Sequence, residues 1–143
     1  MKTGIKVSQA MTKNPVFIGP DESLPFCARK MLINNIGGIL VVKSSKLLGI
    51  VTEKDIVEEV VAKELNVKKV KVKDIMTTSM ITISPEGDLE KAIFLMNRED
   101  IRRLPVIKKN KLIGLLTMKD IIRVQPELAS LIKKDFFKKR KAK

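Results

Sequence analysis

The chain has 143 residues, 44% of them apolar, with one cysteine and no histidine. This length suits one compact domain, or two small ones that share a core. A single cysteine excludes an internal disulfide, and the lack of histidine excludes His-containing zinc sites and every Ser-His or Cys-His catalytic arrangement. We therefore expect no enzyme, no metal centre and no covalent cofactor.

The net charge of +13 is unevenly distributed along the chain. Residues 133–143 hold seven Lys or Arg and one Asp, which gives +6 and leaves +7 for the other 132 residues. Such a run is either a solvated end or a contact for a polyanion, and both interpretations stay open. The candidate contact residues are Lys133, Lys134, Lys138, Lys139, Arg140 and Lys141.

The apolar runs of this sequence are too short to cross a bilayer, and the opening MKTGIKVSQAMTK lacks the apolar segment of a secretory signal. We expect a cytoplasmic protein without a membrane partner.

An internal repeat organises the chain. Displaced by 65 positions, residues 7–56 align with residues 72–121 without a gap, and 17 of the 50 aligned residues are identical. Such a repeat predicts two similar structural units in tandem. We place the repeats at 7–64 and 72–125, with a connector at 65–71 and a basic amphipathic extension at 126–143.

Both copies predict the same elements in the same order. A helical turn (SQAM, KDIM) precedes a short strand (VFI, ITI), which a Gly-Pro or Ser-Pro pair ends. The helix that follows is capped by Ser23 or Asp88 and has apolar residues at i, i+3, i+4 and i+7. Cys27 lies on this apolar face, so we interpret it as a core residue.

A hairpin and a second helix complete each copy. The strand pairs are ILVVK with LLGIV and LPVIK with LIGLL, joined at SSK and KNK. The second helix runs to about Leu65 in the first copy and stops before Pro126 in the second. After Pro126, apolar residues at helical spacing predict one more helix.

The predicted fold class is therefore mixed α/β. Two β-α-β-β-α repeats pack with pseudo-twofold symmetry, and a basic C-terminal helix or tail follows them.

The segment GIVTEKDI, at residues 49–56, recurs as GLLTMKDI at residues 114–121. A Thr followed three residues later by an Asp is the capping-box pattern, in which the acid accepts from the N–H of the cap residue. The same pair can also hold a ligand where the helix starts, because the carboxylate offers two acceptor oxygens. Capping and binding do not exclude each other.

Four features of the sequence together point to a known family. They are the tandem order, the openings MTKNPVFIGPDESL and MTTSMITISPEGDL, the strand RRLPVI, and the twin segments GIVTEKDI and GLLTMKDI. With these features the chain resembles a CBS-domain pair, or Bateman module. The resemblance covers residues 7–124, and the chain as a whole resembles the stand-alone CBS proteins common in archaea and bacteria. It implies a homodimer of modules that binds AMP, ADP, ATP or S-adenosylmethionine in clefts between the repeats. It also implies that the motif Asp takes the ribose and the motif Thr lies near a phosphate.

The resemblance implies crossed clefts, each with the motif of one repeat and the strand entrances of the other. The first cleft, with a guanidinium for phosphate, is the stronger predicted phosphate site. Its residues are Thr52, Lys54, Asp55, Met80, Ile81, Arg102 and Arg103. In the second cleft two glycines replace the two arginines. Its residues are Pro15, Val16, Ile36, Gly37, Gly38, Thr117, Lys119 and Asp120.

Two functions remain, because the intact Thr and Asp of both copies count against a third, a structural module that has lost its ligand and acts only through dimer contacts. One is a regulatory module in which an adenine ligand alters dimer geometry or contact with a partner protein. The other is a nucleic-acid-binding protein that uses the basic tail, where Lys and Arg would neutralise phosphates and Phe136 or Phe137 would stack on bases.

Overall fold

The computed structural model describes residues 2–132 and divides into two compact units. Unit 1 comprises the residues up to Asn14 and those from Ile81 onward, and unit 2 comprises Pro15–Met80. Each unit has a three-stranded sheet and a hydrophobic core of its own. The predicted mixed α/β class, with two repeats in tandem, is confirmed. None of the helices in residues 2–132 has the length and hydropathy of a transmembrane span.

Six α-helices and six strands account for most of the regular structure of residues 2–132. The helices are α1 Val7–Ala10, α2 Leu24–Ile33, α3 Glu53–Ile56, α4 Val72–Ile75, α5 Leu89–Glu99 and α6 Met118–Val124. The strands are β1 Thr12–Lys13, β2 Phe17–Ile18, β3 Gly38–Lys43, β4 Lys46–Thr52, β5 Arg103–Lys108 and β6 Lys111–Thr117. A π-helical turn, Val57–Val61, continues α3, and 3₁₀ turns lie at Val67–Lys69 and Pro126–Leu131.

The two long helices begin at the predicted caps. The Ser23 side chain accepts a hydrogen bond from the Phe26 N–H at 3.2 Å, and Asp88 accepts one from the Glu90 N–H at 2.8 Å. Each bond satisfies a backbone donor that has no partner inside the helix. Cys27 lies on the buried face of α2, where burial raises the pKa of its thiol to about 11. Its interpretation as a core residue is confirmed.

Asp88 also holds the N-terminal segment against α5. Its carboxylate accepts from the N–H and hydroxyl of Thr3, both at 3.0 Å, and from the N–H of Gly4 at 2.9 Å. Burial alone would raise the pKa of Asp88, but the hydrogen bonds from Thr3, Glu90 and Gly4 together lower it. The ionised carboxylate therefore stabilises both the helix start and the segment beside it.

The predicted hairpins are present in both units. Strands β3 and β4 pair in an antiparallel manner, as do β5 and β6. Their turns, Ser44-Ser45 and Lys109-Asn110, have positive φ at both residues, with values between 51° and 65°. This is the conformation of a two-residue turn whose twist matches that of the flanking strands.

The opening segment of each repeat packs with the hairpin of the other repeat. Strand β1 of the first repeat pairs antiparallel with β6 of the second, with Thr12 opposite Leu115. Thr77 of the second repeat pairs with Ile50 in β4 of the first, through N–H to carbonyl distances of 2.9 and 3.0 Å. The compact units are therefore offset from the sequence repeats.

The hydrophobic cores also show that the two repeats exchange their opening segments. Val70, Val72 and Ile75 belong to the core of unit 2, whereas Val7 and Ala10 belong to that of unit 1. The segment 65–71, expected to be a connector, thus contributes Val70 to a core.

Three predicted elements differ from the structure. The expected strand ITI at 81–83 is reduced to one parallel bridge between Ile83 and Val106. Pro105, at the position of Leu40 in the first repeat, has no N–H with which to extend that pairing. The helix expected to reach Leu65 ends in the π-helical turn at Val61.

The third difference concerns the chain after Pro126. The described part of the expected amphipathic helix is a 3₁₀ turn, and it buries Leu128 and Ile132 in the core of unit 1.

Candidate functional site

The glycine of each motif allows another segment to cross the strand. A Cβ on Gly49 would lie 2.8 Å from the Thr77 carbonyl oxygen and 2.9 Å from the Met76 sulfur. A Cβ on Gly114 would lie 2.6 Å from the Met11 sulfur and 3.1 Å from the Thr12 carbonyl oxygen. Only glycine fits under so close a crossing. These contacts bring a Met-Thr pair beside each Thr-x-x-Asp segment.

Thr52 and Asp55 form a capping box at the start of α3. The Asp55 N–H donates to the Thr52 hydroxyl at 3.2 Å, and Asp55 Oδ2 accepts from the N–H and hydroxyl of Thr52 at 2.9 and 3.1 Å. Oδ1 accepts from the Thr77 hydroxyl at 3.2 Å. Asp55 is half-buried, so its carboxylate is both oriented and accessible.

Thr117 and Asp120 form the equivalent box at the start of α6. The Asp120 N–H donates to the Thr117 hydroxyl at 3.1 Å, and Oδ2 accepts from the Thr117 N–H at 2.9 Å. The Thr12 hydroxyl lies 3.3 and 3.4 Å from the two carboxylate oxygens, and Arg123 Nη2 donates to Oδ1 at 2.9 Å. Asp120 is only 3% exposed. The second carboxylate is therefore the more enclosed of the two.

Thr12 and Thr77 are site residues that the sequence interpretation missed. They occupy equivalent positions 65 residues apart, and each hydroxyl contacts the motif acid within its own unit. The identity of these two positions was visible in the repeat, but their contact with an Asp more than 20 positions away was not.

The residues at the starts of strands β3 and β5 pair through their backbones with the Thr-x-x-Asp motifs. In unit 2 the Gly37 carbonyl accepts from the Glu53 N–H at 3.0 Å, and Gly38 pairs with Thr52. In unit 1 the Arg102 carbonyl accepts from the Met118 N–H at 2.9 Å, and Arg103 pairs with Thr117. Within each unit, therefore, the glycine pair adjoins the first motif and the arginine pair adjoins the second.

The remaining predicted residues lie in both units. Lys54 is exposed and 3.7 Å from Glu58, and Lys119 is exposed. Half-buried apolar residues make up the rest of the predicted clefts. They are Pro15, Val16, Ile36 and Met80 in unit 2 and Ile81 in unit 1.

The grouping of residues from both units into crossed clefts stays a prediction. The predicted polyanion contacts Lys133, Lys134, Lys138, Lys139, Arg140 and Lys141, with Phe136 and Phe137, lie outside the described residues.

The CBS-domain family model matches residues 7–62 and 72–127. The chain belongs to the CBS-domain family and carries two such domains in tandem, as the repeat and its motifs predicted. Members of this family are regulatory modules known to bind adenosine ligands.

Three relatives illustrate the range of the family. CBS domain-containing protein YhcV of Bacillus subtilis is 30% identical over 115 residues, which cover 80% of this chain and 81% of the relative. The crystal structure of the CBS domain NE2398 is 33% identical with a TM-score of 0.78 and covers 84% of this chain and 96% of its own. An inosine-5′-monophosphate dehydrogenase of Thermoplasma acidophilum is 37% identical over 109 residues, 76% of this chain but 21% of that enzyme.

Proposed function

We propose that this chain is a non-enzymatic regulatory module that binds an adenine-containing ligand at its Thr-x-x-Asp motifs. The ligand class is AMP, ADP, ATP or S-adenosylmethionine. The observation that best supports the proposal is the carboxylate of Asp55, a half-buried residue whose side chain is fixed by Thr52 and Thr77. Membership of a family known to bind adenosine ligands supports the same ligand class.

The chemistry of Asp55 suits a ribose. An ionised carboxylate is an acceptor with two oxygens, and the 2′ and 3′ hydroxyls of a ribose are two adjacent donors. Because Thr52 and Thr77 already hold the carboxylate in one orientation, binding requires little further ordering of the side chain. The capping bonds hold Asp55 in the empty protein, and ribose hydroxyls replace threonine hydroxyls as its donors when the ligand binds.

The other predicted residues have complementary roles in this proposal. Met80 and Ile81 enclose the adenine, while Arg102 and Arg103 bind phosphate oxygens. Gly37 and Gly38 carry no side-chain charge at the equivalent positions, so the second site takes a less anionic ligand or stays empty.

Regulation follows if the ligand binds two arrangements of the protein with different affinity, since only that difference can shift their populations. CBS-domain proteins often form oligomers. We propose that this chain forms a homodimer and that the ligand changes the geometry of the dimer or its contact with a regulated protein.

Calorimetric titration of the full chain with AMP, ATP, S-adenosylmethionine and NAD tests the proposal. We expect binding of at least one adenine ligand, and at least a roughly tenfold weaker affinity in Asp55→Ala, because hydrogen bonds to a charged group contribute about 1.5–3 kcal/mol each.

Asp74→Ala is the matched control. Asp74 forms the same capping bond in the same unit, accepting from the Lys71 N–H at 2.9 Å, but belongs to no Thr-x-x-Asp motif. The control should lose a cap and keep the affinity. Unchanged affinities in Asp55→Ala would remove the assignment of the first site.

The basic tail supports a second candidate, a nucleic-acid-binding activity. Seven of its eleven residues are Lys or Arg, in residues 133–143. Counterion release from neutralised phosphates would supply the affinity, and a nucleotide bound to the CBS domains could modulate it.

A further inference from the structure

The two motif acids are followed by opposite charges. Three residues after Asp120 the chain has Arg123, and three residues after Asp55 it has Glu58. The offset of 65 residues makes Arg123 and Glu58 equivalent positions. The two repeats thus differ where a side chain can reach back to the motif carboxylate, since residues three apart are neighbours on a helix.

At Asp120 one of the donors to the carboxylate is a cation. Arg123 Nη2 bonds Oδ1 at 2.9 Å, the Thr117 N–H bonds Oδ2 at 2.9 Å, and the Thr12 hydroxyl contacts both oxygens. A hydroxyl has one proton to donate, so three donors share this carboxylate, and one of them is a cation. The Asp120 side chain is 5% exposed, which leaves little surface for a further donor.

At Asp55 the acceptor positions are not filled by a cation. The described contacts of its carboxylate come from Thr52 and Thr77, and Glu58 pairs with Lys54 at 3.7 Å. A ribose hydroxyl can therefore take the place of a threonine hydroxyl at this carboxylate, and both of these donors are neutral. At Asp120 a ribose would have to displace a guanidinium that is ion-paired with the carboxylate.

We infer that Arg123 closes the Asp120 position to a ribose and thereby makes Asp55 the selective site for the adenine nucleotide. This inference rests on the proposed function and specifies which of the two motifs is used. Arg123 acts as a specificity-determining residue: its positive charge occupies the carboxylate of the second repeat, and Glu58 leaves that of the first repeat available.

Titration of the full chain with AMP and, in parallel, with ATP tests the inference. We expect a single binding event in the wild type and a second binding event in Arg123→Gln. The double variant Asp55→Ala, Arg123→Gln should keep the new event and lose the original one. The Arg123 side chain is 66% exposed, so its replacement leaves the core intact.

The reciprocal variant Glu58→Arg supplies an independent measurement. It places in the first repeat the cation that the second repeat has, and we expect at least a tenfold loss of nucleotide affinity. Glu59→Arg, next in the chain, is its control, because Glu59 pairs with Lys63 rather than lying three residues after the motif Asp.

The outcomes separate the inference from the proposed function. Two equal sites in the wild type, no second site in Arg123→Gln, or weaker binding in Arg123→Gln would each overturn the inference while nucleotide binding itself stands. A wild-type chain that binds none of the tested adenine ligands would overturn both.

Discussion

At the scale of single residues, the glycine of the repeated motif has a packing role separate from the ligand. Gly49 and Gly114 lie under the crossing Met-Thr pairs, at distances that leave no room for a methyl group. The position of Thr77, and with it the orientation of the Asp55 carboxylate, therefore depends on a residue that touches neither the Asp nor a ligand.

Gly49→Ala should lower stability, because the added methyl group forces the backbone at Thr77 or the Met76 side chain to move. Overpacking of this kind costs about 1–3 kcal/mol, measured by the shift of a urea unfolding curve. Gly19→Ala is the control in the same unit, since its Cβ would meet no atom closer than the Glu22 Cγ at 3.8 Å. If the two curves coincide, the crossing segment tolerates the methyl group and this packing role is wrong.

At the scale of elements, the start of α5 and the N-terminal segment share one carboxylate, that of Asp88. Because the pKa of Asp88 is lowered below 3.8 on folding, the native protein binds fewer protons there than the unfolded chain. Its contribution to stability is present above the unfolded pKa and is lost as the pH falls through the folded pKa.

Asp88→Asn tests this coupling. Asparagine remains a good helix cap but cannot ionise, so part of the stability loss between pH 7 and about pH 3 should disappear from urea unfolding curves. Asp21→Asn is the comparison. The pKa of Asp21 is lowered by its hydrogen-bonded ion pair with Lys73 at the protein surface, and dissolved salt should screen the effect of that pair on stability. An unchanged pH dependence in Asp88→Asn would show that other groups dominate acid unfolding.

Local patterns in the sequence predicted the elements well, because each pattern acts within a few residues. Ser23 and Asp88 cap helices by bonding N–H groups two or three residues ahead, and the hairpins follow alternating apolar residues. Such local patterns did not predict the pairing of Thr12 with β6. A repeat shows that Thr12 and Thr77 are equivalent, but it does not show which hairpin each of them joins.

The candidate site was predictable to the same extent. The motif identified Thr52, Asp55, Thr117 and Asp120, and a capping box is present at both positions. The bond from Arg123 to Asp120 was not predictable, since a three-residue spacing permits an ion pair without requiring it.

At the scale of the whole molecule, charge is concentrated at one end of the chain. Deleting residues 133–143 removes +6 of the net +13. If the tail binds nucleic acid, the full chain should bind a single-stranded oligonucleotide with an affinity that falls steeply with salt, and the shortened chain should lose that binding.

Fluorescence anisotropy at several salt concentrations measures both effects. The affinity for AMP serves as the control, since it should not depend on the tail under the proposed function. Equal oligonucleotide binding by the shortened chain would assign any such activity to another surface.

The exchange of opening segments also has a consequence for the order of folding during synthesis. Unit 2 is continuous in sequence, so the ribosome has delivered all of it once Met80 has emerged. Unit 1 is discontinuous, and Val7 and Ala10 must wait for β6 and α6, more than 90 residues later, before they can be buried. Because domains generally fold as units during synthesis, the middle of the chain should fold first and the two ends last.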